Sequence, residues 1–212
     1  MTPKAVYWDM DGTLIDSEPL HEKALRTVLT SLGITPPPDL HDRVVGIAAV
    51  PVYEMMRDEL GLKLSFDDWI LRKYVYYMEH VASLKPRGGA VEVYRDLWAQ
   101  GTPQAVVSNS DRLIVEANLR VIGIDRPGMK SVTRNDVRLG KPDPEPFLRA
   151  AWLTGVDPAE TFVVEDSHAG ATAGVAAGMN TLFWPQQPGD EAPAGAILVS
   201  SLEELRGHLR LD

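Results

Sequence analysis

Apolar residues fall along this chain in two rhythms. Short runs of apolar and β-branched residues, bounded by turn formers, recur at Ala5–Trp8, Gln104–Val107, Ser131-Val132, Thr161–Val164, Thr181–Trp184 and Ile197–Val199. Runs of that length and make-up predict buried strands. Between them, apolar positions repeat at helical spacing and predict helices over Ala90–Gln100, Arg112–Val121, Pro146–Leu153, Ala169–Ala177 and Leu202–Leu209. Strands that alternate with helices build a mostly parallel sheet with helices on both faces, the α/β, Rossmann-like arrangement.

The pattern changes between the first strand and the second. A helix is predicted from about Glu18 to Leu32, with Leu20, Ala24, Val28, Leu29 and Leu32 near helical spacing, Ser17 as its N-cap and Gly33 as its stop. Pro36-Pro37-Pro38 makes a stiff connector. Helical pieces follow near Asp39–Val45, Val52–Leu60 and Ser65–Val81, separated by Gly46, Pro51 and Gly61; Ser65 with Asp68 resembles a capping box. No strand is expected here. Residues 17–83 therefore predict a small all-helical domain inserted into a core made of residues 1–16 and 84–212, with Pro86-Arg87-Gly88-Gly89 as the return linker. Trp69, Tyr74, Tyr76 and Tyr77 are expected to pack this insert, and Pro185–Gly195 reads as a surface loop.

Composition narrows the chemistry. The 212 residues include no cysteine, which removes disulfides, thiol nucleophiles and thiolate metal sites. The formal net charge of −9 argues against nucleic acid as a partner, because such binding leans on clustered Lys and Arg. It also means that any phosphate site must be rescued locally by a metal, a lysine or a helix N-terminus. Met1-Thr2-Pro3-Lys4 runs straight into the first strand, and no apolar run is long enough to span a bilayer. No signal peptide and no membrane partner are expected, and the expected setting is the cytoplasm, as a monomer.

In parallel sheets, ligands bind beyond the carboxyl ends of the strands. After the first strand come Asp9, Asp11, Gly12 and Thr13; after the second, Ser108, Asn109 and Ser110; after Phe162-Val163-Val164, Glu165, Asp166 and Ser167. Between these lies Gly140-Lys141-Pro142, a lysine in a proline-bounded loop. Alone, each admits a plainer role: a polar turn at Asp9 and Asp11, helix caps at Ser108-Asn109 and at Glu165-Asp166-Ser167, a solvated lysine at Lys141. Together they deliver four carboxylates, hydroxyl and amide donors and one lysine to one rim. Close carboxylates repel unless a cation sits between them or one stays protonated, which suits a hard metal such as Mg²⁺. These are the parts that phosphoryl transfer uses.

Asp9-Met10-Asp11-Gly12-Thr13, Ser108-Asn109-Ser110, Lys141-Pro142 and Glu165-Asp166-Ser167 resemble the four ordered motifs of the haloacid dehalogenase superfamily. Asp16-Ser17-Glu18-Pro19-Leu20-His21 narrows the resemblance to the branch with β-phosphoglucomutase and phosphoglycolate phosphatase, whose helical cap is inserted after the first strand. The resemblance implies Asp9 as the nucleophile that forms an aspartyl phosphate and Asp11 as general acid, then base. It implies Mg²⁺ held by Asp9, the Asp11 carbonyl oxygen and Asp166, with Glu165 nearby, and phosphoryl oxygens bound by Ser108 and Lys141, with the Asn109 region adding donors. In the cap, His21 matches a hinge position, and Lys73 on the long helix is a candidate substrate contact; an exposed histidine and a solvated lysine are the plainer readings.

One departure bears on activity. In the mutase, the cap loop after a Gly-Val/Ile pair carries an arginine and a serine that grip a second phosphate. Here that loop reads Gly46-Ile47-Ala48-Ala49-Val50-Pro51-Val52, apolar throughout. The expected function is a Mg²⁺-dependent phosphatase acting on a small phosphorylated metabolite, a sugar phosphate foremost. A phosphomutase is the alternative, and a non-catalytic phosphate-binding regulatory module is the alternative outside enzymes. A C–halogen hydrolase does not fit, because those relatives lack the second aspartate and do without metal.

Overall fold

The structure is a computed structural model that describes residues 3–44, 47–187 and 189–211. The chain divides into two compact units, Met1–Asp16 with Lys85–Asp212, and Ser17–Leu84. Leu84, which the sequence places with the core, falls in the helical unit. In chain order the elements are β1 (Ala5–Trp8), α1 (Glu18–Ser31), α2 (Leu40–Val44), α3 (Ala49–Leu60), α4 (Phe66–His80), α5 (Ala90–Ala99), β2 (Gln104–Val107), α6 (Arg112–Val121) and β3 (Lys130–Val132). There follow α7 (Glu145–Thr154), β4 (Thr161–Glu165), α8 (His168–Ala176), β5 (Asn180–Phe183), β6 (Ile197–Leu198) and α9 (Leu202–Leu209).

The first unit is built on one six-stranded sheet in the order β3-β2-β1-β4-β5-β6. Every neighbouring pair is parallel. β1, β2 and β4 are buried along their whole length, as continuous apolar strands in a covered parallel sheet should be. Tyr7, Val107, Val163 and Phe147 share one core cluster. From β1 the chain builds outward through β2 and β3, then returns to β4 on the other side. The strand order thus reverses beside β1, and the crevice beyond the carboxyl end of β1 is the place where such sheets bind ligands.

Two boundaries shift from the sequence pattern for a physical reason. β4 runs on to Glu165, which pairs with Phe183 and has no exposed surface; an acidic residue breaks an apolar strand pattern, but here a buried lysine meets it. α3 begins at Ala49 rather than Val52. Pro51 then lies in the first turn, where its missing N–H leaves no intrahelical bond unmade. Ser17 stands at the N-cap of α1 without a side-chain capping bond, whereas Ser65 caps α4 by accepting the Asp68 N–H at 3.1 Å.

The helical unit has its own core of Leu25, Val28, Leu29, Leu40, Val52, Met56, Leu62 and Trp69. Trp69 and Tyr77 are fully buried, and Tyr76 stacks on His80 at 4.2 Å. Among the described residues, no helix is long and apolar enough to cross a membrane. Trp69 packs against Tyr53 and Phe66 at ring distances of 5.6 and 5.9 Å. Trp69→Ala should therefore cost about 3–5 kcal/mol in urea unfolding. A loss below about 1 kcal/mol would show that this core does not depend on it.

Candidate active site

The chain leaves β1 in a tight turn. Asp9 N–H still bonds the Val164 carbonyl at 3.0 Å, so the first aspartate is fixed by the neighbouring strand. The Met10 carbonyl then accepts from the Thr13, Leu14 and Ile15 amides. Gly12 adopts φ +87°, and a Cβ there would lie 2.0 Å from Asp166 Oδ2. Only glycine meets both demands. Arg87 holds the turn from behind: its guanidinium donates to the carbonyls of Gly12 (3.0 Å), Trp184 (2.7 Å) and Pro185 (2.8 Å) and stacks 3.7 Å from the Trp184 ring.

Lys141 is the centre of charge. Its buried ammonium donates to Asp9 Oδ1 (2.6 Å), Glu165 Oε1 (2.5 Å) and the Val107 carbonyl (2.7 Å). Asn109 sets its backbone, accepting the Lys141 N–H at 2.8 Å and donating to the Lys141 carbonyl at 3.0 Å. A Cβ on Gly140 would meet Asn109 Oδ1 at 2.6 Å, so this clamp needs the glycine. The Lys141-Pro142 peptide is cis. Burial alone favours a neutral amine, but Asp9 and Glu165 outweigh it and hold Lys141 above the ordinary lysine range.

One ammonium cannot serve every carboxylate here. Burial, then Glu165, pushes Asp9 up to about 8 in spite of Lys141. Burial, then Asp9, pushes Asp166 up to about 7 against its bonds from Gln186 and Thr13. Glu165 is raised by burial and by Asp166, with Lys141 opposing. Lys141 is thus stabilised as a cation while its partners resist ionising, as expected when several buried anions share one positive charge. One oxygen from each of Asp9, Glu165 and Asp166 lies within 4.8 Å of the others. Hard oxygen donors with uncompensated negative charge fit a hard divalent cation. Glu165 is the most committed of the three, because its Oε2 also accepts from the Ser167 hydroxyl at 3.0 Å. Asp166 takes Thr13 Oγ1 and Gln186 Nε2, each at 3.0 Å. Among the described residues, no donor reaches Asp9 Oδ2.

The Asp11 side chain stands outside this acidic group. Its Oδ2 accepts from Ser110 Oγ at 2.7 Å and Ser108 Oγ at 3.2 Å, and its Oδ1 from Asn118 Nδ2 at 3.2 Å. Ser108 and Asn109 do not cap α6, whose N-cap is Asp111. Ser167 does cap α8, accepting from Gly170 N–H at 3.1 Å.

The rim residues picked out in the sequence thus meet in the first unit, and there the Asn109 side chain grips the lysine loop. His21 and Lys73 belong to the helical unit, where His21 stacks on Tyr77 at 4.5 Å and Lys73 lies 5.9 Å from the Trp69 ring centre. Gly46 lies outside the described residues. Asn118 and Gln186 enter only with the structure, which also gives contacts to Ser110, Thr13 and Arg87, residues the sequence places on the rim or in the linker without a role. Asn118 had left a trace: it is the amide on the buried face of α6, among Ile114, Val115 and Leu119.

The family model of haloacid dehalogenase-like hydrolases matches residues 3–178. Hexitol phosphatase A of Escherichia coli is 29% identical over 187 residues, covering 86% of this chain and 83% of that protein. The phosphorylated carbohydrates phosphatase of Thermotoga maritima is 27% identical over 212 residues, covering 98% of each. A crystal structure of a HAD family hydrolase from Deinococcus radiodurans, with bound phosphate and sodium, superposes with TM-score 0.72 at 27% identity, covering 97% of this chain and 94% of that one.

The raised carboxylates set a pH dependence. Asp9 and Asp166, with folded values near 8 and 7 against an ordinary 3.8, bind protons more tightly in the folded state. Their contribution to stability is complete below about pH 4 and is lost as pH rises through 7 and 8. A divalent cation competes with those protons. The rise in melting temperature on adding millimolar Mg²⁺ should therefore grow from pH 5.5 to pH 8. A rise independent of pH would show that these carboxylates do not bind the ion.

Proposed function

The chain belongs to the haloacid dehalogenase-like hydrolases, and from that premise we propose that it is a Mg²⁺-dependent phosphatase for small phosphorylated sugars or sugar alcohols. That the enzyme is a hydrolase follows from the family; the substrate class is suggested by what the two phosphatase relatives are named for. The observation that carries the reading is Asp9: a buried carboxylate with one oxygen on Lys141 at 2.6 Å and the other without a donor among the described residues, the oxygen a nucleophile needs.

Asp9 Oδ2 adds to phosphorus as the ester P–O bond breaks, and the Asp11 carboxyl gives its proton to the departing alkoxide. An aspartyl phosphate and a free alcohol result. The Asp11 carboxylate then takes a proton from water as that water adds to phosphorus. The P–O bond to Asp9 breaks, inorganic phosphate leaves, and Asp11 is protonated again. Lys141 and Ser108 donate to the phosphoryl oxygens, where charge builds up, and Lys141 favours the ionised form of Asp9 against the burial that opposes it. Asp9, Asp166 and the Asp11 carbonyl, with Glu165 behind, would hold Mg²⁺, which supplies charge neutralisation for the phosphoryl group. The stretch Ile47–Val52 carries no cationic or hydroxyl side chain. That supports a phosphatase over a mutase, which must hold a second phosphate.

The test is phosphate release from a panel of hexose, hexitol and other small phosphomonoesters. Release should require Mg²⁺ and stop with chelator. Asp9→Asn should lower kcat by more than about a thousandfold, and Lys141→Met by about a hundredfold or more. Full turnover by Asp9→Asn would sink the nucleophile assignment. Interconversion of sugar-phosphate isomers without phosphate release would favour the mutase.

A further inference from the structure

We infer that Ser110 and Asn118 are positioning residues for Asp11, fixing the acid–base carboxyl in the orientation from which it serves the leaving oxygen. The inference rests on the proposed role of Asp11 and goes beyond it to two residues given no role in that mechanism. Asp11 sits in an isolated bridge with Ile15, so its backbone is set by the turn, but its side chain projects past the end of β1 and could rotate. Donors address both of its oxygens. Ser110 Oγ reaches Oδ2 at 2.7 Å, and Asn118 Nδ2 reaches Oδ1 at 3.2 Å.

The two donors come from different places, the loop after β2 and the body of α6, so together they define a plane rather than a point. Asn118 is fully buried. A buried amide in an otherwise apolar helix face costs stability unless its donors are used. Here its use is to face Asp11. The pairing of chemical types also suits a group that must alternate: a serine hydroxyl donates to a carboxylate and accepts from a carboxylic acid. Ser110 can thus hold Asp11 in both halves of the reaction. Ser110 is tied in turn to the phosphate side of the site, because its N–H donates to Ser108 Oγ at 3.0 Å. Its carbonyl accepts from Arg134 N–H at 3.1 Å, which anchors the loop to the segment after β3.

A positioning role for a general acid has a signature that mere structural support lacks. Protonation matters for an alkoxide leaving group and hardly at all for p-nitrophenolate. The quantity to measure is kcat/KM for an alkyl phosphomonoester divided by kcat/KM for p-nitrophenyl phosphate, at saturating Mg²⁺. It reports events up to formation of the phosphoenzyme. Ser110→Ala and Asn118→Leu should each lower this ratio by about tenfold or more, within the range general acid catalysis supplies. Asp11→Asn is the benchmark and should lower it further. Ser110→Ala removes a single hydroxyl, so it answers even if Asn118→Leu folds poorly; melting curves check both. A normal ratio in Ser110→Ala and in folded Asn118→Leu, with a collapsed ratio in Asp11→Asn, overturns the positioning role alone. A normal ratio in Asp11→Asn as well overturns the acid role of Asp11, and the inference with it.

Discussion

A single ammonium stands among buried carboxylates at the heart of this fold. Lys141 reaches Asp9 and Glu165 at once and takes the Val107 carbonyl as its third acceptor. Moving any of these charges out of water is expensive, and the ion contacts return that cost only if every proton and lone pair is matched. The consequences spread outward. The loop that carries Lys141 is clamped by Asn109, β4 can extend to a fully buried Glu165, and Asp9 is held in one orientation by a lysine from a distant part of the chain. Truncating Lys141 leaves uncompensated buried acids, so chemistry and folding are coupled at this residue.

The remaining excess of negative charge explains why close packing matters so much nearby. A Cβ on Gly12 would strike Asp166, one on Gly140 would strike Asn109, and one on Gly170 would fall 1.8 Å from Glu165 Oε1. Each absent side chain leaves room for a polar group that must sit against backbone. The acids are thereby brought together by shape and kept apart in role. Asp9, Glu165 and Asp166 form the group suited to a cation, while Asp11 is turned toward hydroxyl and amide donors.

The alternation of strands and helices was legible in the sequence because parallel strands buried on both faces leave continuous apolar runs. The rim residues were legible for a related reason: each follows directly on such a run, so a list of what ends each strand recovers Asp9, Asp11, Ser108, Asp166 and their neighbours. What escaped was whatever depends on contact between distant segments. Glu165 looked like the start of a loop, because nothing local shows that Lys141 will meet it inside the sheet. The grip of the Asn109 side chain on Lys141 spans a long stretch of chain and leaves no local signal. Gln186 sits in a stretch that reads as mere surface loop, yet it reaches Asp166. Ala49–Pro51 read as loop because proline usually breaks a helix, although the first turn admits it.

The two places where the chain passes between its units are fastened to each other. Asp16 N–H bonds the Lys85 carbonyl at 3.0 Å, Ile15 bridges Pro86, and Arg87 N–H bonds the Leu14 carbonyl. A segment of some seventy residues therefore leaves and re-enters the sheet unit through a doorway one hydrogen bond wide. For the sheet, what hangs between those posts is interchangeable, since any insert whose ends meet at that spacing leaves the strands unstrained. The machinery at the end of β1 is thus carried on a frame that closes on itself, whatever the insert contributes.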